Sequence, residues 1–298
     1  MRERSGHEAL GAGIMVLTMA LYTANDTIVK LLGEAMPLGA IITYRGALIL
    51  AVTLALILVL PGHGPGALKW LGSRAVIIRS LWDTAVTILY LTALMHMPIA
   101  NILAIMNLSP LAIIPLAAWL QGERPGARRV IAVITGFAGA LFVVRPGTEG
   151  FGLWALAAFL AMLGVAGRDL STRGIPSGAP ALVVALGNVI LVQVLGMAML
   201  FFAPYPAPSD AEWMALSACA LFLGLAYVLI IVAVRIAPVS KTAVWRYSIV
   251  LWGVLAGWLA FGQVPDAPAL FGIALILASS LYVSFREWRE REKENPAV

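Results

Sequence analysis

Ten stretches of close to twenty apolar residues follow one another along this chain, at 9–32, 38–60, 75–96, 99–120, 127–144, 152–171, 179–203, 212–234, 240–261 and 267–286. A helix needs about 20 such residues to cross the hydrocarbon of a bilayer. In that solvent only helices and closed barrels satisfy their own backbone. Barrel strands are about 10 residues long and alternate apolar with polar; these runs do neither. The chain is therefore expected to be an all-α membrane protein of ten transmembrane helices. The breaks, such as "PGHGPGALKWLGSR", "QGERPGARR", "APYPAPSDAE" and "GQVPDAP", are rich in Gly, Pro and charge, and none is long enough to hold a soluble domain. Only 12% of the 298 residues are charged, about half of the ~25% that covers a water-facing surface. The mean hydropathy is +0.93. Lipid is the natural solvent.

The net charge of +5 does not point to nucleic acid, because the charges punctuate the ends of apolar runs rather than forming a basic patch. The single Cys219 excludes an internal disulfide, and no zinc spacing is present. No metal or cofactor is implied. The polar start "MRERSGHEALGAG" runs into a segment long enough to span, without a small-residue cleavage site, so a cleaved leader is not expected. Lysine and arginine set orientation. With the N-terminus in the cytoplasm, seventeen of the 20 fall on or toward the inner side, and only Lys30, Arg45 and Arg145 on the outer. Ten spans then leave both termini cytoplasmic.

The segment from residue 93, "ALMHMPIANILAIMNLSPLAIIPLAAWLQGERPGA", aligns without gaps on "AVRIAPVSKTAVWRYSIVLWGVLAGWLAFGQVPDA" from residue 233. Pro98 falls on Pro238, Gly122 on Gly262, Pro125 on Pro265 and Ala127 on Ala267. Spans 3–5 thus pair with spans 8–10. The chain reads as two five-helix halves, 1–146 and 147–298, and an odd number of helices forces them into opposite orientations. Inverted repeats of this kind build secondary transporters. The passage "GERP…GALFVV" closing the first half, its echo "GQVP…SLYVSF" closing the second, and "TYRGALIL" early in span 2 resemble the drug/metabolite transporter superfamily, EamA-type branch. One departure is Gln263 where the first half has Glu123. The resemblance implies a ten-helix carrier that moves small metabolites out of bacteria, amino acids prominent among them, and it extends to the aromatic amino-acid exporters of the YddG type.

Charged residues inside a span are expensive and normally face the bundle interior or a water-filled cavity. Span 1 carries Tyr22, Asn25, Asp26 and Lys30, with Tyr22, Asp26 and Lys30 one helical turn apart on one face. Arg45 lies about two turns into span 2, so an outer cluster of Asp26, Lys30 and Arg45 is expected, either as substrate contacts or as a neutralised structural group. Lys30 has a third reading, snorkelling to the outer interface. Span 3 carries a second stripe, Arg79, Asp83, Thr87 and Tyr90, and Asp83 is at the depth of Arg246 in span 9. That pair reads as a structural ion pair or as a gate. Span 4 adds Asn101, Asn107, Ser109, Pro110 and Pro115; its prolines free carbonyls that are tolerated where they line a cavity or are buried. Trp245, Tyr247 and Trp252 on span 9 read as an aromatic wall or as helix packing, and Gly253 with Gly257 as a close-packing motif. His96 reads as a solvated loop residue, and Glu123 with Arg124 as a junction salt bridge.

No metal-hydrolase, phosphate-loop or dinucleotide signature is present, and an internal repeat favours a carrier over a channel. The expected function is export of small metabolites by alternating access, through a site formed by spans 1–4 and 6–9 with spans 5 and 10 peripheral. Candidate substrate contacts are Tyr22, Asn25, Asp26, Arg45, Asp83, Tyr90, Asn101, Asn107, Trp245, Arg246, Tyr247 and Trp252. Amino acids, aromatic ones included, are the first expectation, because two charge signs suit a zwitterion and the aromatic residues, Tyr227 among them, suit an apolar side chain. A multidrug or other metabolite exporter of the same fold is the alternative. The partners expected are the small substrate and the bilayer, with a monomer as the working stoichiometry.

Overall fold

The computed structural model describes residues 2–59, 65–121, 126–144, 152–172, 174–176, 178–237 and 242–294. Among these there is no strand. The α-helices are α1 (Arg2–Leu32), α2 (Leu38–Val59), α3 (Arg74–His96), α4 (Ile99–Met106), α5 (Ser109–Gln121), α6 (Ala127–Val144), α7 (Leu153–Thr172), α8 (Ala181–Phe202), α9 (Asp210–Ile236), α10 (Ser248–Phe261) and α11 (Ala267–Glu294). Short 3-10 segments occupy Pro65–Gly72 and Ala243–Tyr247. By length and composition, ten helical stretches can cross a membrane, with α4 and α5 together making the fourth and the second 3-10 segment joining α10 in the ninth. Glu123, Arg124 and Arg145 lie outside the described residues.

The ends follow from local chemistry. Ser209 caps α9: its hydroxyl accepts from the Glu212 N–H while the Glu212 carboxylate accepts from the Ser209 N–H, so two end groups of the helix are satisfied reciprocally. Gly262 closes α10 at φ 63, where a Cβ would be strained, and the next N–H, of Gln263, reaches back to the Gly257 carbonyl at 2.9 Å. Between α4 and α5 the helix breaks because Pro110 has no N–H for the carbonyl one turn back and its ring crowds that carbonyl. Ser280 of α11 donates to the Asn107 carbonyl at 2.9 Å at this break.

Number the spans 1 to 10. Span 1 packs along span 8 and span 3 along span 6; span 2 packs on span 7, span 4 on span 9 and span 5 on span 10. Exchanging each span for the one five later or earlier reproduces the same set. Spans 1 and 9 touch as spans 6 and 4 do, and spans 2 and 8 touch as spans 7 and 3 do. Span 5 meets span 10 through glycines: a Cβ on Gly139 would lie 2.8 Å from the Gly272 carbonyl oxygen, and one on Gly272 would lie 2.5 Å from that of Gly139. Gly253 lets α10 approach α4 beside Leu103 and Ala100, whereas Gly257 serves the α10 cap. Large apolar side chains such as Phe201, Phe202 and Trp119 point outward, as lipid-facing surfaces require.

Candidate functional site

Two polar groups interrupt the apolar interior. The first joins α1, α2, α3 and α9. Asp26 accepts from the Tyr90 hydroxyl at 2.5 Å on one oxygen and from the Asn25 amide at 3.0 Å on the other. The other end of the Asn25 amide accepts from the Arg45 guanidinium at 3.3 Å. The Cys219 thiol lies 3.8 Å from the Asn25 backbone carbonyl. Asn25, Asp26 and Arg45 are all buried, Asp26 and Arg45 at 7% exposure each. The expected direct Asp26–Arg45 ion pair is therefore absent, because the Asn25 amide stands between them.

Lys30 does not join that cluster. It is buried, and its ammonium donates to the carbonyls of Leu94 (2.8 Å) and Met97, with the Phe261 ring 5.5 Å away. The reason lies in the sequence of span 3. The residue four after Leu94 is Pro98, which has no N–H to give, so the last carbonyls of α3 are left open. An ammonium from α1 fills them, where the helix dipole also favours a cation. The snorkelling reading is displaced by this buried contact.

The second group sits about 10 Å from the first along α3, since Asp83 and Tyr90 are two turns apart. Asp83 is bracketed by Arg79 at 2.8 Å and Arg168 at 3.2 Å. Arg168 also grips Asp169 at 2.8 Å, and Arg79 donates to Thr172 at 3.2 Å. The partner of Asp83 is thus Arg168 on α7, not Arg246. Arg246 is exposed on the 3-10 segment. Asp83 is 11% exposed at its side chain, Arg79 21%, Arg168 28% and Asp169 43%. Such ions are partly screened, and each contact contributes on the order of 1 kcal/mol.

Tyr22 links the two levels. It meets Tyr227 edge to face at 6.4 Å. Tyr22 lies within electrostatic reach of Asp26, Arg246 and Arg168, and Tyr227 within reach of Asp83, Arg79 and Arg168.

The remaining candidates are placed elsewhere. Trp252 donates its indole N–H to the Val16 carbonyl at 3.2 Å and packs against the buried cluster of Met15, Met19 and Ala233, so it ties α10 to α1. Trp245 does not share its face. The intervening 3-10 turn has about 3 residues per turn rather than 3.6, and Trp245 points outward while Trp252 points in. Tyr247 is buried against Ser284. Asn107 caps the α4 end through the Leu103 carbonyl, and Asn101, half-buried in the first turn of α4, joins neither group. His96 is the last residue of α3, not a loop residue, and stacks on Trp154 at 3.7 Å. Arg168 and Asp169 were missed as site residues; their signal was a charged pair inside a span. Cys219 gave no signal beyond being the one thiol.

The sequence profile of the EamA-like transporter family matches the chain twice, over residues 9–145 and again over 152–285. A riboflavin transporter of Vibrio cholerae is 30% identical over 214 residues, 69% of this chain and 70% of that protein. The pseudopaline exporter CntI of Pseudomonas aeruginosa is 24% identical over 281 residues, 93% of this chain and 97% of that protein. An S-adenosylmethionine uptake transporter of Rickettsia felis is 21% identical over 293 residues, 96% of each.

Proposed function

This chain belongs to the EamA-like transporter family, and on that premise we propose that it carries a small metabolite across the bacterial inner membrane by exposing one central site to each side in turn. The chain is a multi-pass membrane transporter rather than an enzyme. One observation carries the alternating-access reading. The Asp26 group and Lys30 are sealed, whereas the Asp83 group becomes steadily more exposed from Asp83 to Asp169, and Arg246 beyond it is exposed. That asymmetry fits one state of a cycle, closed at the Asp26 end and open at the Asp83 end. The excess of Lys and Arg at the Asp83 end favours the cytoplasm on that side. Two inverted halves, 1–146 and 147–298, are favoured by the double family match and by the exchange symmetry of the span contacts.

For the substrate, the relatives favour a metabolite other than an amino acid: the names of three of them give riboflavin, pseudopaline and S-adenosylmethionine. The zwitterion argument for amino acids also weakens, because Asp83 is already bracketed by two arginines and both oxygens of Asp26 are occupied. The site we infer lies around Tyr22 and Tyr227, between the two polar groups. One relative is an exporter and another an uptake carrier, so direction is tested from both faces. Proteoliposomes preloaded with unlabelled compound should take up the labelled form faster than empty ones for riboflavin or S-adenosylmethionine. Tryptophan and a cationic dye serve as the competing classes. Flux without acceleration by the internal compound would make the protein a channel; acceleration by tryptophan alone would restore amino-acid transport.

A further inference from the structure

Arg45 is a buried cation with no carboxylate within ion-pair distance. A guanidinium offers five N–H donors, and here one contact is made, to the Asn25 side chain at 3.3 Å, while the buried Nε finds no acceptor. The groups facing it are Asn25 and Asp26 from α1, Tyr90 from α3 and Cys219 from α9. Asp26 is the one carboxylate among them, and it lies outside ion-pair distance with both oxygens engaged by Tyr90 and Asn25. A buried charge left without a partner is strongly unfavourable. Replacing Asn25 by an acid would be the simplest cure, yet the chain places an amide there, which bridges to Asp26 and leaves the fork of Arg45 without a carboxylate. By contrast, Arg79 and Arg168 of the second group are each bound to carboxylates.

We propose that Arg45 is the anchor for an anionic oxygen group, carboxylate or phosphate, on the carried molecule, with Asn25 acting as the spacer that keeps Arg45 available. The planar fork of arginine matches two oxygens of such a group at once. Tyr22, one helical turn before Asp26, meets Tyr227 edge to face, and these rings suit a flat or aromatic body on the same molecule. The substrate class is thus a flat organic acid or phosphate ester. This rests on the carrier reading above.

The test uses matched pairs that differ only in the acid: riboflavin 5′-phosphate with riboflavin for the phosphate arm, and indole-3-acetate with indole-3-acetamide for the carboxylate arm. Binding to the purified full chain is read by thermal shift and tryptophan quenching. In at least one pair the acid should bind the unmodified protein about tenfold or more tighter than its neutral partner. Arg45→Gln should abolish that preference and Arg45→Lys should keep part of it. Asn25→Asp, which keeps the side-chain size and supplies Arg45 with an internal carboxylate, should also abolish it, and this guards against a folding defect in the Arg45 variants. The proposal is overturned if acid and neutral members bind alike in both pairs, if neither binds, or if the preference survives Asn25→Asp and Arg45→Gln. Acid preference without trans-accelerated flux would refute the carrier reading and leave the anion site standing. Trans-accelerated flux without acid preference would do the reverse.

Discussion

Lys30→Met tests whether an ammonium from one helix replaces the N–H that Pro98 denies to another. The substitution removes two charge-assisted hydrogen bonds, each contributing ~1.5–3 kcal/mol, and leaves the buried Leu94 and Met97 carbonyls without their donor. Relief from desolvating the ammonium, several kcal/mol for a buried ion, offsets part of that. A net loss of about 2–4 kcal/mol is expected. Pro98→Ala supplies an N–H that reaches the carbonyl of Leu94, but not that of Met97, once Met97 turns from its extended conformation (φ −116, ψ 155) back to helical. In the Lys30→Met background it should therefore recover roughly 1 kcal/mol that it does not add to the parent. Unfolding by sodium dodecyl sulfate in mixed micelles, followed by circular dichroism, gives the four free energies of the cycle. A Lys30→Met cost below about 0.5 kcal/mol, or additivity of the two changes within about 0.3 kcal/mol, would refute the capping argument.

Asp83→Asn should release Arg79 and Arg168 and reduce counterflow severalfold, with a stability loss of only about 1–2 kcal/mol because the ions are partly exposed; a variant that fails to accumulate would assign the group to folding instead. Gly272→Val should push span 10 off span 5, at a cost of about 1–3 kcal/mol or more, and the monodisperse peak in fluorescence-detected gel filtration should collapse; an unchanged peak would contradict the close approach. A cysteine at Pro208 should react with an impermeant maleimide in intact cells and one at Gly72 only after lysis, with the buried Cys219 giving little background; the opposite pattern would invert the assignment of sides.

The ten spans were legible because a bilayer demands long uninterrupted apolar runs, and α2 and α6 begin where the sequence reading placed spans 2 and 5. What the apolar pattern does not encode is rotation about each helix axis. A soluble helix shows its buried face by contrast with a polar one, but here the outward face is as apolar as the inner, as Phe201 and Ile134 show. Depth along the membrane was readable, which is why Asp83 was placed near an arginine. Which arginine was not: Arg168 and Arg246 both fall toward the inner side, and only the packing of α3 on α7 selects the first. The face shared by Trp245 and Trp252 was misread for a local reason, a 3-10 turn invisible in an apolar run. Lys30 was readable in principle, since Pro98 announces carbonyls in need of a donor, but nothing in the sequence said that span 1 passes that point.

The glycine seam between α6 and α11 has a consequence for how the molecule can change over generations. At an ordinary core contact a gain of volume on one helix can be matched by a loss on the other. Here each glycine abuts the other's backbone oxygen, and no substitution makes a carbonyl smaller. The two positions cannot compensate each other, so neighbouring residues can drift while this pair stays fixed. An axle of that kind leaves the other helices free to diversify for different cargo while the distance between spans 5 and 10 is held constant.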